Sequence, residues 1–260
     1  LHGKTFLLKS LRDRNILKTF DMVSKEITEI QKKDFNRNTD YYYNEFTFKE
    51  TWLNYHGEDL DTDLDKSYLE MSENADHLFI VTKLKVLNTV ISRKILSGIS
   101  IYKTYWAVEN ILKYIEKNTD DIEKNHPIIY SEYKILMMVL EPDTVKHFHD
   151  LEKHVFQNIT RYNEDELEQV YYSLSNYCVN KIALGEDKFI NELYKIHSNF
   201  EKTGFYSKNK NLQYTDFIGV IICGLNMKHM KWVEHFFETY KGNIASEVKR
   251  DTINLSSALI

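Results

Sequence analysis

His147, Asp150 and His154 stand at i, i+3 and i+7 in KHFHDLEKH, a spacing that puts all three on one face of a helix. Imidazole and carboxylate both ligate zinc or iron, so this face is the first candidate for metal chemistry. The segment lacks the pattern of a zinc-protease helix, which needs glutamate beside the first histidine and a second histidine four residues on. Phe148, Leu151 and Val155 form the stripe expected to face a core, which leaves the histidines at its edge or in solvent.

The second candidate is DLDTDLDKSYLE, Asp59 to Glu70, with acidic side chains near the ligand spacing of a calcium-binding EF-hand loop. Its sixth position, where the sharp turn requires glycine, is Leu64, and Lys66 places a cation inside the loop. The stretch therefore reads as a solvated acidic linker whose last aspartates, Asp63 or Asp65, cap a following helix and favour its dipole.

Three further patterns fall short of a site. HGKT, His2 to Thr5, resembles the end of a phosphate-binding loop without the strand and glycine that would precede it. DDIEK, Asp120 to Lys124, starts like a magnesium-binding aspartate motif but ends on lysine, and reads as a charged loop between helices. There is no GxSxG segment, and Cys178 and Cys223 each lie within an apolar helical pattern, where a thiol behaves as a small hydrophobe. No cofactor is expected from these patterns.

The elements that must position such residues are helices. With only 2 Pro and 8 Gly in 260 residues, the breaks are few, and Gly57, Gly98, Gly185, Gly204 and Gly242 each follow an apolar-periodic segment. Pro127 and Pro142 each open a new segment. Leu167, Val170, Tyr171, Leu174, Tyr177, Cys178 and Ile182 recur at threes and fours, as do Phe189, Leu193, Ile196 and Phe200. Trp232, Phe236 and Tyr240 make a further stripe, and Val248, Thr252, Leu255 and Leu259 a last one.

Helices are predicted at about 4–13, 15–34, 40–56, 65–96, 100–117, 127–140, 143–158, 164–184, 187–203, 213–227, 228–241 and 246–260, the 65–96 segment counting as one helix or two. YYYNEFTF, Tyr41 to Phe48, is the best candidate for a strand, but its flanks are helix-compatible. Short connections predict antiparallel hairpins.

Sliding residues 167–203 forward by about 43 places Cys178 on Ile221, Ile182 on Leu225, Phe189 on Trp232 and Leu193 on Phe236, the self-similarity of a hairpin array. LSNYCVNKIALGEDKFINELYKIHSNFEKTG, Leu174 to Gly204, resembles a degenerate tetratricopeptide-like or pentatricopeptide-like hairpin, and the likeness extends loosely over 127–260. Where those families place a small residue between the two helices, this chain offers Ile190. The resemblance implies an all-α fold of antiparallel helical hairpins stacked as a short right-handed α-solenoid. The expected organisation is a single all-helical domain over 1–260, irregular over 1–120 and built of hairpin repeats over 121–260.

What such a fold offers is surface. Opposite the apolar stripe of the helix near 165–184 lie Gln169, Tyr172, Asn176 and Asn180, an adaptable hydrogen-bonding face with one aromatic ring. They are the candidate contacts for a protein or peptide partner. A metal-dependent helical enzyme or metal sensor is the alternative. Nucleic acid is disfavoured by the net charge of -5 and the pI near 6.1, because Asp13, Asp21, Glu26, Glu29 and Asp34 interleave with the basic residues of the first segment.

At 42% hydrophobic and 28% charged residues, with a mean hydropathy of -0.49, the chain has the balance of a globular protein and no apolar run of membrane-spanning length. A cytoplasmic location is the default expectation. Residue 1 is Leu, so the first residues are expected to be a boundary rather than a natural start. The apolar stripe of INLSSALI is still running at Ile260, so the chain is expected to continue beyond Ile260 or to dock its end on a partner.

Overall fold

A computed structural model describes residues 2–33, 37–56, 63–95, 106–209 and 211–260. Among them fourteen α-helices follow one another: α1 (His2–Asp13), α2 (Leu17–Lys33), α3 (Thr39–His56), α4 (Asp63–Ile95), α5 (Trp106–Lys117), α6 (Thr119–Asn125), α7 (Pro127–Leu140), α8 (Lys146–Gln157), α9 (Glu164–Ala183), α10 (Phe189–Lys202), α11 (Phe205–Lys208), α12 (Tyr214–Asn226), α13 (Met230–Tyr240) and α14 (Lys249–Leu259). The fold is all-α. The one β-type pairing among the described residues is an isolated bridge between Leu212 and Ile244. YYYNEFTF is helical within α3, and the 65–96 segment forms one continuous helix, α4. Gly57 and Gly98 lie outside the described residues.

The chain divides into two compact units, Leu1–Leu167 and Glu168–Ile260. In the first unit Leu8 and Leu11 of α1, Phe20, Val23 and Ile27 of α2 and Phe48 of α3 make one core cluster, with Trp52 and Tyr55 packed on it. Phe20 stacks on Tyr55 at 3.8 Å between ring centroids. These positions recur at threes and fours along each helix, which is why three modest amphipathic helices can share one core.

The centre of this unit is α7, which packs on α4, α8 and α6. Nearly every one of its residues is buried, from Pro127 at its first turn to Met138. A helix apolar all round belongs inside, and the polar residues it carries must then find partners. They do: Ser131 hydrogen bonds to the Tyr162 hydroxyl at 2.6 Å, Glu132 accepts from Asn88 Nδ2 at 2.7 Å, and Lys134 Nζ donates to Asp150 at 2.7 Å. The start of α9 is fixed by a reciprocal capping box. Asn163 Oδ1 accepts from the Glu166 amide at 2.9 Å, and Glu166 Oε2 accepts from the Asn163 amide at 3.1 Å.

The second unit closes around Phe200, Tyr206, Phe217 and Phe236, all essentially fully buried. Two of its hairpin turns share one geometry. After α9, Gly185 takes φ +88°, its amide donates to Ile182 O at 2.9 Å, and the Glu186 amide donates to Lys181 O at 3.0 Å. After α12, Lys228 takes φ +57°, its amide donates to Leu225 O at 2.9 Å, and the His229 amide donates to Gly224 O at 3.0 Å. Both are Schellman ends, in which a left-handed residue lets two amides satisfy carbonyls that the helix leaves open. Their separation, 185 to 228, is the 43-residue offset of the sequence comparison.

Two expectations are corrected here. The segment Asp120 to Lys124 is a helix of its own, α6, rather than a loop, with Ile122 buried beneath it. In α14 the buried residues are Thr252 and Ser256, whereas Leu255 and Leu259 are 38% and 40% exposed. Thr252 can turn inward because its hydroxyl donates to Val248 O at 2.7 Å, which removes the cost of burying it.

Candidate functional site

The four residues proposed for partner contact lie along α9, where the opposite face of the helix is anchored by Val170, Tyr171, Leu174, Tyr177 and Cys178, all buried. Gln169 and Tyr172 are half-buried, and Asn176 and Asn180 are exposed. The Tyr172 hydroxyl donates to Asp216 Oδ2 of α12 at 2.7 Å. Burial, and then the Asp216 carboxylate, raise its pKa well above the usual phenol range, so Tyr172 is held as a donor rather than as a nucleophile. The ring is fixed in place while the two carboxamides beside it keep both donor and acceptor groups available to solvent.

His147, Asp150 and His154 all lie on α8 and each is directed to a different partner. His147 Nε2 lies 3.0 Å from Glu141 Oε2, and Asp150 accepts from Lys134. His154 is 2% exposed, corrected from the edge position expected of it, and packs against the Tyr130 ring at 4.6 Å. Burial, aided by the charges of Arg161 and Lys134, holds its pKa down at about 4. In the acidic segment, residues 59–62 lie outside the described residues and Asp63–Glu70 form the first turns of α4. There the Glu70 carboxylate accepts from Lys49 at 2.6 Å.

Tertiary structure also assembles two polar clusters that no local spacing announces. In the first unit, Tyr42 of α3, His77 of α4 and His126 at the start of α7 meet, with the Tyr42 hydroxyl 2.7 Å from His126 Nδ1 and the imidazole centroids 4.0 Å apart. In the second, His197 Nδ1 lies 3.1 Å from the hydroxyls of both Tyr171 and Tyr206, which are 3.0 Å from each other. Burial alone depresses the His197 pKa to about 3 and keeps the ring neutral at pH 7. His197 is one polar ring among the buried Leu193, Ile196 and Phe200 of α10, and His126 is the residue between α6 and α7; their hydroxyl partners come from other helices, which local spacing does not announce.

Both cysteines are free and buried, and burial pushes the Cys223 thiol up to about 12. A thiol so placed stays protonated and unreactive. No helix among the described residues is long and apolar enough to cross a membrane. No family model, curated protein or solved structure matches this chain.

Proposed function

We propose that the chain is a non-enzymatic helical-hairpin module that binds an extended peptide segment of a partner protein along α9. The observation that carries this reading is the α9 face itself: Tyr172 locked to Asp216, with Asn176 and Asn180 exposed one and two turns on. A carboxamide side chain can donate to a peptide carbonyl and accept from a peptide amide at once, so two of them on one stripe match the repeat of an extended backbone. A fixed aromatic ring beside them adds contact area at little entropic cost.

A short right-handed α-solenoid of the tetratricopeptide-like kind is the architecture we infer for α9–α10 and α12–α13. Its support is the recurrence of one Schellman turn at the 43-residue offset. It is further supported by Gly224, where an added Cβ would come within 2.5 Å of Val233 Cγ2, so that α12 and α13 meet at a small residue. Such arrays use stacked hairpins to present a binding surface.

The test is selection of peptides from a random library on the whole protein, followed by affinity measurement against Asn176→Ala/Asn180→Ala. Loss of two side-chain hydrogen-bonding groups is expected to weaken the selected peptides by about tenfold or more, at roughly 1 kcal/mol per bond. Both residues are exposed, so stability should stay within about 0.5 kcal/mol of the parent. Equal affinity for the double variant, or no peptide enriched, would overturn the reading.

A further inference from the structure

The imidazoles of His77 and His126, tilted 34° to each other, sit where five helices, α3 to α7, meet. His126 closes α6 and precedes α7, and its ring is 7% exposed. Tyr42 of α3 is fully buried, and its hydroxyl is 2.7 Å from His126 Nδ1. His126 Nε2 lies 3.6 Å from Asp121 of α6, and His77 Nε2 lies 3.4 Å from the Tyr114 hydroxyl of α5. These contacts fit the His126 tautomer that carries its proton on Nε2, facing Asp121, and accepts from Tyr42 at Nδ1.

We propose that this imidazole pair is an acid-operated latch in the first unit, shut by two neutral rings and opened by two protons that free α6 from α3 and α4.

A proton on His126 Nδ1 turns the acceptor into a donor, and the Tyr42 hydroxyl must then reverse, leaving its own proton without an acceptor in a buried site. A second proton on His77 sets two positive rings 4.0 Å apart. The charged and titratable groups around the pair, among the described residues, are Glu73 and Asp76 from α4, Arg37 and Tyr41 beside Tyr42, Tyr114 from α5, Asp121 from α6, and Arg161 from the turn after α8. Arg161 donates to Lys124 O at 2.9 Å and so holds a positive charge at the end of α6. Against it the Glu73 and Asp76 side chains are exposed and Asp121 is 62% exposed, so solvent screens the carboxylates that could offset the new charges.

Burial first, then the charge of His77 and Arg37, holds His126 down at about 3, and burial likewise lowers His77. Both folded values lie below the unfolded value near 6.5, so the stabilisation is complete above about pH 6.5 and is lost as pH falls below it. With two protons taken up on opening, the opening constant rises by up to about 100-fold per pH unit.

Hydrogen exchange of the α6 amides in the full chain, followed from pH 7 to pH 4 and corrected for intrinsic rates, reads that constant. The expected slope is near two protons for the parent and near one for His77→Phe, which keeps an aromatic ring against His126. His154→Phe should leave it near two. An unchanged slope in His77→Phe, or flattening in His154→Phe alone, would overturn the latch. Imidazole 15N shifts of the unsubstituted protein give a second reading. Both rings are expected to stay neutral while α6 remains protected, and titration of either near pH 6.5 with α6 still protected would equally overturn it.

Discussion

Lys228 occupies the same left-handed turn position as Gly185, with the same pair of backbone hydrogen bonds closing the preceding helix. A non-glycine residue there carries a Cβ that the conformation disfavours, at about 1 kcal/mol. Lys228→Gly is therefore expected to stabilise the second unit by about 0.5–1 kcal/mol, and Gly185→Ala to destabilise it by about 1 kcal/mol. Urea denaturation of each variant measures both, and a loss of stability in Lys228→Gly would show that the lysine side chain outweighs its backbone strain.

Gly224 admits no side chain. A Cβ there would lie 2.5 Å from Val233 Cγ2 and 2.8 Å from Trp232 Cζ3, across the α12 to α13 contact. Gly224→Ala should cost about 1–3 kcal/mol through forced separation of the two helices, despite the better helix propensity of alanine. Because Trp232 also donates to Glu201 at 2.6 Å, a shift in tryptophan fluorescence should accompany the loss.

The second unit should weaken in acid through His197. Its folded pKa, about 3, lies below the unfolded value near 6.5, so the stabilisation is full above about pH 6.5 and falls away as pH drops towards 3. His197→Phe should flatten that acid dependence, at a cost of about 1–3 kcal/mol at pH 7 from the tyrosine hydroxyls it strips of a partner. Thermal melts at a series of pH values would show an unchanged acid dependence if His197 were not the group responsible.

Glu45 should act in the opposite direction. Burial raises its carboxyl to about 7, outweighing the opposing charge of Lys49, with Glu70 adding to the rise. A carboxyl whose folded pKa exceeds its unfolded value near 4.5 stabilises fully below that value and loses the contribution as pH rises through 7. Glu45→Gln is expected to stabilise the first unit at pH 8, by up to about 3 kcal/mol, and to change little at pH 4. Equal effects at the two pH values would contradict the assignment.

Local sequence determined the helices and most of their inward faces. Phe148, Leu151 and Val155, and likewise Phe189, Leu193, Ile196 and Phe200, are buried as their spacing requires, because 3.6 residues per turn is a property of the backbone and needs no distant partner. The turn at Gly185 was equally legible, since glycine tolerates the left-handed conformation at little cost.

Tertiary structure alone decided which polar residues go inside. Ser256 took the inward place beside Thr252 that the periodic stripe gave to Leu255 and Leu259 in α14, and α6, apolar only at Ile122, had too weak a stripe to be seen. His147 and His154 share a helix face yet point to different neighbours, while Tyr42, His77 and His126 come from three parts of the chain and meet. A buried polar atom is tolerated when a partner satisfies it, and partners 84 residues apart, as Tyr42 and His126 are, leave no periodic trace in the sequence.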